Sequence, residues 1–212
     1  LPDELLWVKF SGIAWKDDGF YYSRFEKPAE GTELSAQNRN HKVYYHKVGT
    51  EQSQDQLIYE NPAYPLRNYS CGTTEDERYL LLYGSESTYG NELSYKDLSS
   101  SDAPFIPLVE GFDHEYYVVD NLDQVFFIVT DAQAPKKKLA RVALSSGGDV
   151  TWTDLIPEKE EVLEGASVIG GKIFAQYMKN ASSRVYMYDY SGSELGELSL
   201  PGIGTLGGFS GT

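Results

Sequence analysis

A chain of 212 residues that is 41% hydrophobic and 14% aromatic carries enough apolar material for a packed core, which argues against disorder; 17 Tyr, 9 Phe, 20 Gly and 9 Pro favour strands and frequent turns over helices. The net charge of −14, from 32 acidic against 18 basic residues, repels phosphate, so neither nucleic acid nor an anionic membrane is expected as a partner. A single cysteine, Cys71, excludes an intrachain disulfide and fits a small buried hydrophobe, and no stretch approaches the roughly 18 apolar residues that span a bilayer.

Along the chain, strands follow turns in a repeating order. Asp17-Asp18-Gly19 precedes Phe20-Tyr21-Tyr22, and the alternating run from Lys42 to Val48 comes next. Glu75 to Arg78 precedes Tyr79-Leu80-Leu81-Leu82, Asn121 to Gln124 precedes Val125-Phe126-Phe127-Ile128, and Gly170-Gly171-Lys172 precedes Ile173-Phe174-Ala175. A second set of strands begins near Val43, Leu93, Leu139 and Val185, at intervals of 50, 46 and 46 residues. That period, with several short strands inside it and no helical pattern, is what a β-propeller blade of four antiparallel strands requires. The third unit shows the whole order in 114–119, 125–130, 138–144 and 151–156, joined by turns short enough for hairpins. The expected fold is therefore all-β, a partial β-propeller of about four four-stranded antiparallel blades at 8–61, 69–110, 111–158 and 159–201. The tail 204–211 reads as the innermost strand of a further, truncated blade. An open arc leaves two blade faces exposed, so self-association through those faces, or assembly with missing blades, is expected. A first residue of Leu instead of Met is expected of a piece of a longer protein, and the compartment stays open between cytoplasm and bacterial periplasm.

Several motifs have the outline of chemical sites without the context those sites need. Gly202-Ile203-Gly204-Thr205-Leu206-Gly207 satisfies G-x-G-x-x-G, but no helical period follows to present its N-terminus to a pyrophosphate, so no cofactor is expected. Ser145 to Trp152 has the Asp and Gly of a sialidase-type Asp box in exchanged positions and is better explained as a polar hairpin turn; a glycosidase reading rests on nothing else. No G-x-S-x-G raises a nucleophile. His41, His46 and His114 lie on or beside predicted strands without zinc-ligand spacing, which gives them packing or surface roles and no metal. Lys136-Lys137-Lys138 suits a solvated strand edge, and Glu160-Glu161 a solvated connection. The sequons at Asn68 and Asn180 are short enough to arise by chance. No catalytic residue is assigned.

The stretch from Val8 to Trp15 followed by Gly19-Phe20-Tyr21-Tyr22-Ser23-Arg24-Phe25 resembles the first part of the propeller segment of prolyl oligopeptidases. Asn40 to Thr50 with Gln52 to Asp55, Glu75 to Leu82 and Gly90 to Leu98 continue the likeness in register, over almost the whole chain and most specifically in its first hundred residues. The resemblance implies a seven-bladed propeller capping an α/β-hydrolase domain that holds the Ser, Asp and His and cleaves short peptides after proline. It implies that the propeller restricts entry to short, flexible, proline-containing peptides and supplies side chains to distal substrate pockets. Carried over by position, Tyr21 matches a substrate-facing aromatic. Ser85 and Thr88 match a loop that bears an Arg and a small residue in some members, and Asn68 matches a further apolar position. Because Ser85 is not Arg, the charged contact of that position is not expected. The implied partners are the hydrolase domain and remaining blades of a parent chain. A stand-alone propeller serving as a protein-binding scaffold remains the alternative.

Overall fold

Continuous apolar runs flanked by turn residues become strands buried on both faces, and alternating runs become strands with one face half open. In the computed structural model, which describes residues 3–32, 35–145, 149–209 and 211, sixteen strands make four separate sheets. The first holds β1 (Ala14–Lys16), β2 (Gly19–Arg24), β3 (Lys42–Lys47) and β4 (Gln56–Tyr59), and the second β5 (Asn68–Thr73), β6 (Tyr79–Ser85), β7 (Glu92–Asp97) and β8 (Ile106–Val109). The third holds β9 (Tyr116–Leu122), β10 (Val125–Thr130), β11 (Lys138–Leu144) and β12 (Val150–Ile156). The fourth holds β13 (Val162–Ile169), β14 (Lys172–Lys179), β15 (Ser182–Tyr188) and β16 (Glu194–Glu197). Every sheet is an antiparallel meander in chain order, and the only helical element among the described residues is a single 3-10 turn at Gln52–Gln54. The all-β expectation, with four four-stranded antiparallel sheets, is what the chain forms.

Burial peaks at the second strand of the first three sheets, and the first strands are largely half-buried. The second strands β2, β6 and β10 are buried on both faces, while β4, β8 and β16 are half-buried or exposed throughout. In all four sheets the register shifts between the third and fourth strands, at Val43/Tyr44, Leu93/Ser94, Leu139/Ala140 and Met187/Tyr188. Such bulges twist an edge away from further pairing, which keeps these outer strands from templating another chain.

Residues 1–113 and 114–212 form two units. In the first, β5 lies against β1, β2 and β3, and Ala14, Tyr21, Val43, Tyr69, Leu80 and Leu82 form the core between the two sheets. In the second, β13 lies against β9, and Phe127, Leu139, Ile156, Leu163, Ile173 and Tyr177 are among its core residues.

The tail expected to begin a further blade is irregular where it is described, between 204 and 209, and runs along the fourth sheet. The Ser183 amide donates to Gly204 O, the Leu206 amide to Ser183 Oγ, and Phe209 meets Phe174 at 5.5 Å between ring centres. No helix follows Gly202–Gly207 among the described residues. Of the Ser145–Trp152 motif, residues 146–148 lie outside the described ones; the Ser145 amide donates to Asp149 O and β12 follows.

Candidate functional site

The candidate residues all belong to the first unit. Asn68, at the start of β5, and Ser85, at the end of β6, are register partners across the strand pair, both half-buried. Three residues on, Thr88 is exposed in the bend that leads to Gly90 and β7. The fold thus brings Asn68, Ser85 and Thr88 to one end of the second sheet. Tyr21 does not join them at the surface. It sits in mid β2 opposite Ala14 and Tyr45, 7% exposed, with its ring 5.1 Å from that of Tyr45 and in the inter-sheet core. Burial pushes its phenol pKa upward, with the Asp17 charge a smaller cause, so the hydroxyl stays protonated.

What sequence reasoning missed at this end of the sheet is Arg67. The turn that closes with the Arg67 amide on Tyr64 O folds the Tyr64 ring under the guanidinium, 4.0 Å from it, and Phe112 lies 4.8 Å from its carbon. The planar fork then meets two carboxylates: Nη2 and Nε reach Glu86 Oε1 at 2.7 and 3.1 Å, and Nη1 reaches Glu92 Oε2 at 2.8 Å. Spacings of 19 and 25 residues leave no local pattern from which the cluster can be read.

The histidines fall into packing positions. His46 Nδ1 lies 2.7 Å from Asp55 Oδ1, and Asp55 Oδ2 accepts from the Tyr22 hydroxyl at 2.6 Å. The His46–Asp55 pair has the spacing of a base and its orienting acid. Both side chains are, however, fully buried, and His46 Nε2 has no hydrogen-bond partner among the described residues, so no hydroxyl or thiol is poised on it. His41 bonds through both nitrogens, to Lys9 O and from the Tyr69 amide. His114 is a surface neighbour of Asp131 at 3.5 Å. Burial pushes the Cys71 thiol up to about 12, which leaves it without thiolate character at neutral pH. Among the described residues no three of His, Cys, Asp and Glu converge as metal ligands.

Comparison with known proteins places the fold in a family. The prolyl endopeptidase of Elizabethkingia miricola is 43% identical over 212 residues, which is all of this chain and 30% of that protein. The prolyl oligopeptidase A of Galerina marginata is 31% identical over 96% of the chain and 29% of its own length. Among solved structures, one from a structural and mechanistic study of two prolyl endopeptidases superposes with a TM-score of 0.89 at 34% identity, covering 100% of this chain and 30% of its own. Prolyl oligopeptidase B from Galerina marginata, bound to a 35-residue hydrolysis and macrocyclization substrate, gives 0.88 at 29% identity over 97% of this chain and 29% of its own. The chain spans about 30% of the length of the curated relatives it matches. A family model described as prolyl oligopeptidase, N-terminal beta-propeller domain, matches residues 1–212. With four antiparallel meanders in place and that match running from end to end, the chain belongs to the prolyl oligopeptidase family, within its N-terminal β-propeller domain.

Proposed function

We propose that this chain is the propeller portion of a proline-specific serine endopeptidase, where it controls which peptides reach a hydrolase domain carried on the same protein. The observation that carries this reading is the 43% identity, over the full 212 residues, to a prolyl endopeptidase. In this reading the four sheets are blades of a seven-bladed ring, with 204–211 opening the next blade and the remaining blades and the hydrolase domain as intramolecular partners. Blades closed around a narrow central channel pass only peptides that are short and unfolded. Asn68, Ser85 and Thr88 face that peptide from the end of the second sheet, and Tyr21 offers it no more than the 7% of its surface left open. Ser85 contributes a hydroxyl and no charge, so it offers no ion pair to an acidic peptide side chain.

The test is the activity of the full-length protein on two substrates with the same internal Pro-containing sequence, one a free peptide of about ten residues and the other a surface loop of a folded protein. Cleavage after proline in the free peptide, with the folded protein spared, is the expected result. A correctly folded full-length protein that leaves the free peptide intact overturns the peptidase reading and favours a binding propeller; equal cleavage of both overturns the gating role alone.

A further inference from the structure

Arg67 is costly to place where it is, and what it holds there is the segment between β6 and β7. Its side chain is 10% exposed, so the guanidinium has given up most of its water. Such a group is tolerated only when its donors are matched, and here both carboxylates come from the two ends of one connection. Glu86 is the first residue after β6 and Glu92 the first of β7. A single planar cation therefore bridges the entry and the exit of residues 86–91. The aromatic rings of Tyr64 and Phe112 fix the plane of the fork by cation–π contact.

The same clamp has a backbone component. Gly90 adopts φ +75°, and a Cβ there would collide with the Phe112 carbonyl, so the end of the connection rests directly on the residue whose ring covers Arg67. Within the span, Ser87 Oγ donates to Tyr89 O at 3.0 Å, which tightens the bend that carries Thr88. On its other side Arg67 is the residue before Asn68, the register partner of Ser85. One side chain thus touches both ends of the connection and adjoins in sequence the strand that faces it.

We infer that Arg67 is a positioning residue for the peptide site, acting through the 86–91 connection to set where Ser85 and Thr88 stand. The role rests on the peptidase reading above. It requires that loss of Arg67 be felt by peptides long enough to reach this end of the sheet and not by those that occupy only the residues next to the scissile bond. Lys at this position keeps the charge but loses the fork and the flat face, so it does not substitute.

The experiment uses the full-length enzyme as wild type, Arg67→Met, Arg67→Lys, Thr88→Ala and the Arg67→Met/Thr88→Ala double variant. Each is assayed on a minimal Pro-containing dipeptide ester and on a peptide extended by four residues on the amino side of the proline. Arg67→Met and Arg67→Lys are expected to lower kcat/KM for the extended peptide about tenfold, chiefly through KM, and to leave the minimal substrate within about twofold. Thr88→Ala is expected to cost less in the Arg67→Met background than alone, because the threonine is already misplaced there. Amide hydrogen exchange across 86–91 is expected to speed up in Arg67→Met while that of β2 and β6 is unchanged. Equal losses on both substrates, or full rescue by Lys, would reduce Arg67 to a fold-stability residue and overturn the proposal. A wild type that cleaves both peptides with variants indistinguishable from it does the same. A wild type that cleaves neither overturns the peptidase reading, and the role of Arg67 with it.

Discussion

The imidazole of His41 stacks on Phe25 with ring centres 4.2 Å apart and uses both nitrogens: Nε2 donates to Lys9 O at 3.1 Å and Nδ1 accepts from the Tyr69 amide at 3.0 Å. Only the neutral tautomer with its proton on Nε2 satisfies both bonds, since a second proton on Nδ1 would face the Tyr69 N–H. Burial agrees with the geometry and pushes the pKa down to about 4 from an ordinary 6.5. The folded pKa therefore lies below the unfolded one, and between those values the unfolded chain binds more protons than the folded one. The stability contributed by neutral His41 is complete above about pH 6.5 and is lost as pH falls toward 4, in total about 3 kcal/mol. Urea unfolding of the first unit at pH 7.5 and 4.5 reads this. Because other groups contribute to the pH dependence of the whole chain, the quantity of interest is wild type minus His41→Asn. A pH dependence as steep in His41→Asn as in wild type would remove His41 as its cause.

At the scale of elements, the hairpin between β14 and β15 turns through two residues, Asn180 at φ +51° and Ala181 at φ +57°, with Lys179 opposite Ser182. This is the turn whose twist matches that of paired strands, and it asks for two residues in the left-handed region. Asn tolerates that region and Ala does not, because its Cβ crowds the backbone. Ala181→Gly is expected to stabilise the second unit by roughly 0.5–1 kcal/mol and to raise its midpoint of thermal unfolding by about 2–4 °C. A fall in the midpoint would mean that Ala181 is not under this strain. The second and third strands of each sheet were legible in the sequence because their burial is written into it: Tyr79-Leu80-Leu81-Leu82 is apolar without interruption, and Lys42 to Lys47 alternates. The bulges were not, since an extra residue is defined only against its partner strand. The candidate site was legible only in part. The register that sets Asn68 against Ser85 depends on the hairpin forming, the burial of Tyr21 depends on β5 packing over β2, and the Arg67 clamp joins residues that are neighbours only after folding.

At the scale of the whole molecule, the net charge of −14 opposes the exposed apolar residues in deciding what the 212-residue chain does alone. Residues 3–13 of the first unit are fastened to it by backbone, through the Leu6 amide on Gln52, Trp7 O from the Phe25 amide and Lys9 O from His41, and by the side chains of Asp3 and Ser11, which accept from the Gly49 and Ser23 amides. Phe10 of this segment is 71% exposed and Ile13 59%, and Trp15 of β1, just beyond it, is 56% exposed. Exposed apolar side chains so close in sequence are candidates for a contact surface. Like charge on every molecule keeps copies apart at low ionic strength, and its reach shrinks to about 8 Å at physiological salt and about 3 Å at 1 M. Light scattering of the isolated chain should therefore show association that grows with salt, where simple ion pairing between copies would weaken. Phe10→Ser/Ile13→Ser should reduce that association and the binding of an apolar dye, at little cost in stability because both side chains face solvent. In the full-length protein of the reading proposed above, where remaining blades or a hydrolase domain would cover these side chains, the same pair of substitutions should instead lower stability. A chain that stays monomeric and dye-free at 1 M salt, or a full-length protein indifferent to the two serines, would show that these side chains are ordinary solvent-facing surface in both settings.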